Sequence, residues 1–278
     1  MEESRHTQFA QRIRTRIWQE LPEADNPWLA TDARCHGYAH SAMVGQLDYP
    51  QTLFLLLRGE LPDVQQHDLL RRFLVAFCNP GPRHGATRAV MNAAASGSRS
   101  HNLAAIGLAI LGGEHLGSGE VEQAAAFLAR HRGADPATLA STLSAADVGA
   151  QHLADRRVAP GFGTLFGGID PQAGALATLL GAAPGAWPAL TWGGRFAACL
   201  GESGCGWLAP GVAAAACVDL GFAPRAAGAL YQIASLPGLL AHGLEMGRQG
   251  LQAMPFVPDD DYEFRDPRDD AAAGATSA

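Results

Sequence analysis

The sequence predicts an all-α protein of many helices. Apolar residues recur at helical spacing through most of the chain; Leu69, Leu70, Phe73, Leu74 and Phe77, for example, share one helical face. The connections are short and marked by proline or glycine, and no alternating segment of useful length stands out. The 278 residues are 47% hydrophobic and only 17% charged. Such a chain buries a large core, more than a simple four-helix bundle would need.

Taken in order, residues 1–21 read as an Arg-rich amphipathic helix with Phe9, Ile13, Ile17 and Leu21 four apart, stopped by Pro22. Residues 22–40 are turn-rich, with room for a short strand or hairpin around Arg34–Tyr38. Pro50 sits at a good first position for a helix over Gln51–Gly59, and Glu60-Leu61-Pro62 ends it. Asp63 caps the next helix, which Asn79-Pro80-Gly81-Pro82 closes. His84–Gly97 is rich in small residues, suited to close packing in the core or across a subunit interface, and 101–112 is a buried helix. A glycine cluster at 112–119 precedes a helix from near Glu120. Further helices are expected at 136–154, 173–181, 188–201, 207–220, 224–235 and 238–250. From Pro255 the tail is acidic and then Ala/Gly/Ser-rich, so its last dozen residues are expected to be disordered.

Composition excludes several classes of function. All 20 basic residues are arginine, so no Schiff-base or Walker-A lysine exists, and arginine must handle any phosphate. A net charge of −7 argues against nucleic acid as a partner. The five cysteines, Cys35, Cys78, Cys199, Cys205 and Cys217, form no CxxC pair and read as reduced, mostly buried thiols. Residues 2–20 carry four Arg and three Glu instead of an apolar leader, and no apolar run reaches membrane length. A soluble, cytoplasmic protein is expected.

The most informative stretch is Val158-Ala159-Pro160-Gly161-Phe162-Gly163-Thr164, followed by Asp170-Pro171-Gln172. Two glycines and a proline between Ala-rich helical runs force a sharp turn. Glycine's missing Cβ would let a flat, polar ligand approach main-chain N–H and C=O groups. A plain helix–helix connector is the alternative.

Five blocks, in order, resemble the citrate synthase superfamily, and the length and ending resemble its citryl-CoA lyase branch. They are Arg34-Cys35-His36-Gly37-Tyr38 with Leu53–Pro62, the glycine turn 112–119, Pro160-Gly161-Phe162-Gly163, Asp170-Pro171, and Pro237–Glu245. The resemblance spans about residues 30–250. It implies a two-domain, all-helical, dimeric fold. Residues 1–117 and 220–278 would form the large domain and 118–219 the small one. A homodimer or higher even oligomer is implied. An acyl-CoA would bind through Arg157, Val158, Pro160, Gly161, Phe162, Gly163 and Thr164 and react with a small 2-oxo acid; no metal or membrane is involved. Arg156 and Arg157 would be phosphate or ribose contacts, or else a solvated helix end.

The resemblance fails where the family's chemistry sits. The histidine of the PG-aromatic-GH block is Thr164, and the arginine of the DPR block is Gln172. The block carrying the carboxylate base aligns with Leu208-Ala209-Pro210, and the arginine before the last Pro-Gly with Ser235. The His-Gly-Gly turn reads Leu116-Gly117-Ser118, with His115 one residue early. Losing one preorganised donor costs roughly 10²–10³ in rate, so ordinary condensation of acetyl-CoA with oxaloacetate should be lost. Losing the arginines disfavours di- and tricarboxylates.

The remaining catalytic candidates are His84, His115 and, as a displaced carboxylate, Glu114. Asp219 reads as a helix-end residue and His242 as a hydrogen-bonded core histidine; Arg248 is a possible anion clamp. His36 and His40 lack a third metal ligand. Two functions stay open: a carbon–carbon lyase or Claisen-type condensing enzyme acting on an acyl-CoA, or a catalytically reduced CoA-binding paralogue that works by association.

Overall fold

The computed structural model describes residues 9, 10, 12–146 and 156–266. A hairpin opens it: β1 (Trp18–Pro22) pairs antiparallel with β2 (Ala30–Cys35), which pairs with β3 (Tyr38–Ala39). Eleven α-helices follow: α1 (His40–Gln46), α2 (Tyr49–Arg58), α3 (Val64–Ala76), α4 (Gly85–Ala95), α5 (Ser100–Leu111), α6 (Ser118–His131), α7 (Pro136–Ala146), α8 (Pro171–Gly181), α9 (Pro188–Leu200), α10 (Ala209–Asp219) and α11 (Pro224–Gln249). Between α7 and α8 lie β4 (Arg157–Ala159) and β5 (Phe162–Gly163), and β6 (Gly206–Trp207) joins them before α10 to make a second antiparallel sheet, ordered β4-β5-β6.

The helical prediction holds, with corrections. No helix lies within residues 9–22; β1 takes its place. Phe9, Ile13 and Ile17 are exposed, so their four-residue spacing finds no surface to pack against, and the backbone bonds to β2 instead. The expected hairpin around Arg34–Tyr38 is present, turning at His36 and Gly37, both with positive φ. Residues 147–154 of the 136–154 helix and the tail's last dozen residues fall outside the described residues. Cys78 and Cys199 are exposed; the other three cysteines are buried, and all five are free.

Caps fix several helix starts. Asp48 and Asp63 each accept the N3 backbone N–H, from Gln51 and Gln66, and the glutamine side chain returns the bond. Asp219, at the end of α10, accepts from the Ala189 and Leu190 N–H groups at 2.7 and 2.9 Å and so caps α9 from a distant segment. The Leu57-Arg58-Gly59-Glu60 block is a fastening: Arg58 pairs with Glu60 at 2.8 Å and donates to the Gly221 carbonyl.

The predicted helices 224–235 and 238–250 are one helix, α11, running through Pro237. Proline removes an N–H and normally breaks a helix. Here the next residue, Gly238, donates its N–H outward to the Cys78 carbonyl at 2.8 Å. A Cβ on Gly238 would lie 2.5 Å from the Asn79 Cα, so the end of α3 rests backbone-to-backbone on α11. Small residues also bring α4, α5 and α11 together: a Cβ at Gly107 or Gly243 would strike Val90. The small-residue helices therefore pack in the core, which extends from Leu53 to Leu239.

Candidate functional site

Docking of α3 on α11 places Asn79 and Pro80 opposite the turn and helix that follow β5. Leu165, Asp170 and Gln172 face them, with Ala209 at the start of α10 and Tyr231 of α11 completing the wall. Together with His84 and Leu116 they enclose an inner cavity of about 160 Å³. Residues 76–116 and Tyr231 come from the stretches expected to form a large domain; 165–209 come from the expected small one.

Past Pro80, His84 and Gln172 the cavity leads into an outer cleft of about 410 Å³ bordered by Arg83 and Phe166. Those two residues also border a third space of about 450 Å³, lined by Arg88, Met91 and Met254. Phe166 stands at the tip of a two-residue turn closed by the Leu165–Gly168 bridge. Its φ of 50° and that of Gly167, 81°, are the left-handed pair such a turn needs. A phenylalanine held there, 80% exposed, is a strained and costly choice.

Behind the cavity lies a buried ion pair that the sequence did not reveal. Glu120, in the first turn of α6, is 3% exposed. Its Oε1 accepts from Arg157 Nε at 3.0 Å and from the Gly161 N–H at 3.3 Å; its Oε2 accepts from the Leu116 N–H at 2.8 Å. One carboxylate thereby ties together the glycine turn, the β4–β5 hairpin and α6. It also holds Leu116 at a φ of 55°. Arg157 donates further to the Thr164 carbonyl at 3.1 Å and approaches His115 Nδ1 at 3.5 Å. Arg157 is thus an internal ion-pair partner and not a solvated helix end.

Of the candidate catalytic residues, only His84 lines the cavity. It caps α4, its Nδ1 accepting from the Ala86 N–H at 3.1 Å while Nε2 donates to the Leu116 carbonyl at 3.2 Å. Burial pushes its pKa below the usual histidine value, with a smaller push from His115. Both ring nitrogens are engaged, so this neutral imidazole has no proton site left for a ligand. His115 stands beside Arg157, outside the cavity wall. Glu114 is exposed and pairs with nothing among the described residues. His242 Nε2 lies 3.3 Å from Asn79 Nδ2, a hydrogen-bonded histidine as expected but half-buried and not in the core, and Arg248 donates to the Leu244 carbonyl of its own helix. Among the described residues no three His, Cys, Asp or Glu side chains gather to hold a metal.

The Pro160-Gly161-Phe162-Gly163 block is the tip of a hairpin. Its glycines face the chain's own backbone: a Cβ at Gly161 would lie 2.4 Å from the Gly211 Cα, and one at Gly163 1.9 Å from the Arg156 carbonyl oxygen. The Gly161 carbonyl accepts from the Leu208 N–H, and Phe162 stacks on Trp207 with ring centroids 4.4 Å apart. The space that glycine leaves is filled from within, which corrects the expectation of a backbone open to a ligand. Val158, Phe162, Gly163 and Thr164 are buried; Pro160 and Arg157 are the half-buried members a ligand can meet.

Of the positions where the resemblance places chemistry, Leu116 and Gln172 line the cavity, and Thr164, Pro210 and Ser235 do not. Gln172, at the position of the DPR arginine, and Ala209, beside the base position, both line the cavity. Thr164 is buried and its Oγ1 accepts from the Arg156 N–H at 2.9 Å. Among the described residues, Asp170 is the one carboxylate in the wall and no arginine lines it. Burial raises the pKa of Tyr231, keeping the phenol protonated as a donor.

Solved structures share this architecture. The chain matches citryl-CoA lyase from Hydrogenobacter thermophilus with a TM-score of 0.72 at 20% identity, covering 91% of this chain and 94% of that one. It matches ATP citrate lyase from Methanothrix soehngenii, solved with citrate and coenzyme A, with a TM-score of 0.72 at 14% identity, but spans only 43% of that chain. It matches citrate synthase from Thermoplasma acidophilum, solved with carboxymethyl coenzyme A and oxaloacetate, with a TM-score of 0.58 at 18% identity over 81% of this chain. No protein-family profile and no curated protein matches in sequence. The chain has the citrate synthase-like helical fold. No helix among the described residues is long and apolar enough to cross a membrane.

Proposed function

We propose that the protein binds an acyl-CoA along this cleft and makes or breaks a carbon–carbon bond at the thioester's α-carbon, using acid–base groups other than those of the enzymes it resembles. The observation that carries the reading is the distribution of charge along the cleft. Arg83 borders the outer cleft and Arg88 the space beyond it, neither with an ion-pair partner among the described residues, and no described cation lines the inner end. An acyl-CoA has the same polarity, with several phosphate charges at one end and a neutral thioester at the other. Arginine's planar fork suits the phosphates, and Phe166 and the methionines offer apolar surface between. The hairpin 157–164 contributes Pro160 and the Arg157 side chain at its accessible edge.

A second reading, a CoA-binding paralogue with little catalysis of its own, is favoured by two observations. His84 has both nitrogens engaged, and Pro210, a residue with no titratable group, stands where the resemblance puts the base. Calorimetry with CoA and acetyl-CoA, followed by proton–deuterium exchange at the acetyl methyl in heavy water, separates the readings. Binding with exchange supports the enzyme. Binding without exchange supports the paralogue. No heat and no thermal shift at millimolar ligand refutes both. Replacing Arg83 and Arg88 together by alanine is expected to weaken CoA by about tenfold or more, the scale of one to two charge-assisted bonds.

A further inference from the structure

Three helix starts meet at the inner cavity, and among the described residues the wall between them carries one carboxylate and one phenol. The space of about 160 Å³ is close to the roughly 150 Å³ that holds a benzene ring, so a small group seated there touches several walls at once. Asp170 caps α8: its Oδ1 accepts from the Gln172 and Ala173 N–H groups at 2.9 and 3.2 Å, while Oδ2 has no partner among the described residues. Ala209 is the first residue of α10, and its N–H has no acceptor among the described residues. His84 caps α4, takes the Ala86 N–H and stays neutral. Each helix start carries roughly half a positive charge, which is partly met at α8 by Asp170 and is left open at α10. Tyr231 of α11 is 4% exposed in the same wall. Burial keeps its phenol protonated, with the charge of Glu120 behind the wall adding to the effect and the Ser235 hydroxyl opposing it. Glu120 is itself paired with Arg157.

Resting on the acyl-CoA reading above, we propose that Asp170 is the base that takes a proton from the thioester's α-carbon, and that the Tyr231 hydroxyl and the Ala209 N–H receive the oxyanion that forms. Neither Asp170 nor Tyr231 stands where the resemblance puts the base or a histidine. In this step Asp170 Oδ2 gains the proton. The electron pair of the broken C–H bond forms a C=C bond, and the carbonyl π pair moves onto the thioester oxygen. Two hydrogen bonds hold that oxygen, and the proton returns to carbon when the step reverses. The cavity carries one negative charge before and after, first on Asp170 and then on the enolate oxygen. The α8 start therefore serves the carboxylate and the α10 start the oxyanion. Such an enolate is what a new carbon–carbon bond is made from, and what remains when one is broken.

The test measures proton–deuterium exchange at the acetyl methyl of acetyl-CoA in heavy water, and binding of acetyl-CoA by calorimetry. Both are done on the full chain and on Asp170→Asn, Asp170→Glu and Tyr231→Phe. Asparagine caps helices about as well as aspartate, and phenylalanine keeps the ring that packs against Phe77. Melting temperature should therefore hold in Asp170→Asn and Tyr231→Phe, and acetyl-CoA should bind within about threefold of the natural protein. Exchange should fall by at least about 10² in Asp170→Asn, the scale of a general base. It should fall by about 10²–10³ in Tyr231→Phe, the scale of one oxyanion donor. Asp170→Glu keeps a carboxylate and should exchange faster than Asp170→Asn. If Asp170→Asn or Tyr231→Phe binds acetyl-CoA and still exchanges within about threefold of the natural rate, the assignment is overturned while the acyl-CoA reading stands. If the natural protein binds acetyl-CoA without exchange, the assignment falls and the CoA-binding paralogue remains. If neither CoA nor acetyl-CoA binds, the acyl-CoA reading falls as well.

Discussion

Replacing Glu120 by glutamine should destabilise the protein far more than an ordinary first-turn helix substitution. In the native chain the Glu120 carboxylate accepts from Arg157, Gly161 and Leu116 while only 3% exposed. Glutamine keeps the shape but offers one acceptor oxygen, so its amide N–H₂ must face at least one donor. The Arg157 guanidinium, with 21% of its side chain accessible, loses one carboxylate partner. Breaking one side of a buried ion pair costs about 3–5 kcal/mol, because the other charge stays desolvated. At roughly 2–4 °C per kcal/mol for a chain of this size, the melting temperature should fall by about 6–20 °C. Urea unfolding supplies the free energy and differential scanning calorimetry the midpoint. The double variant Glu120→Met with Arg157→Met removes both charges and should lose less than the sum of the two single changes. A Glu120→Gln loss under about 1 kcal/mol, or strict additivity in the cycle, would show that the pair does not hold the glycine turn to the hairpin.

Further expectations can be checked separately. Gly163→Ala should cost more than about 3 kcal/mol or prevent folding, since its Cβ would sit 1.9 Å from the Arg156 oxygen, while Gly168→Ala, which meets open space, should change stability by under about 0.5 kcal/mol; chemical denaturation of both decides. Burial raises the Asp219 pKa to about 6, so the folded state holds a proton that the unfolded state releases; stability relative to Asp219→Asn should fall as pH rises from about 4 to about 7, by about 1–2 kcal/mol after allowing for partial solvent access, and parallel pH profiles would refute it. A thiol-release assay with acetyl-CoA and oxaloacetate should show no ordinary citrate synthase turnover, because Thr164, Gln172 and Pro210 supply neither imidazole, guanidinium nor base. Light scattering should report at least twice the 29.0 kDa chain mass at micromolar concentration; a single-chain mass would refute the even oligomer.

Much of the fold was legible because its signals are local. Asp63 as a cap, Pro188 opening α9 and the turn at Arg34–Tyr38 each state their structure within a few residues. What could not be read depends on partners far away in sequence. Phe9, Ile13 and Ile17 have helical spacing but no surface to bury against, so their periodicity carried no structural consequence. Pro237 should end a helix, yet the Cys78 carbonyl, remote in sequence, receives the Gly238 N–H and α11 continues. Glu120 looks like any acid in a first helical turn; its importance comes from Arg157, 37 positions later. Asp170 was legible as part of a motif, but its capping of α8 and its place in the cavity wall needed the fold.

The same distinction explains why the resemblance survives in some positions and fails in others. Gly161 and Gly211 touch through their backbones, Gly117 sits where a Cβ would lie 2.3 Å from the Gly113 carbonyl, and Gly238 meets Asn79. Any side chain at these sites forces two main-chain segments apart, whatever reaction the protein performs. Gln172 and Ala209 border empty volume, where a change of side chain alters charge and shape without displacing backbone. The glycine and proline blocks therefore report the scaffold, and the cavity wall reports the chemistry. Here the wall presents the Gln172 amide and the Ala209 methyl group beside Asp170, Tyr231 and a neutral His84. On the acyl-CoA reading, the neutral donors Asn79, Gln172 and Tyr231 in this wall would meet a thioester carbonyl, which needs hydrogen bonds and no countercharge.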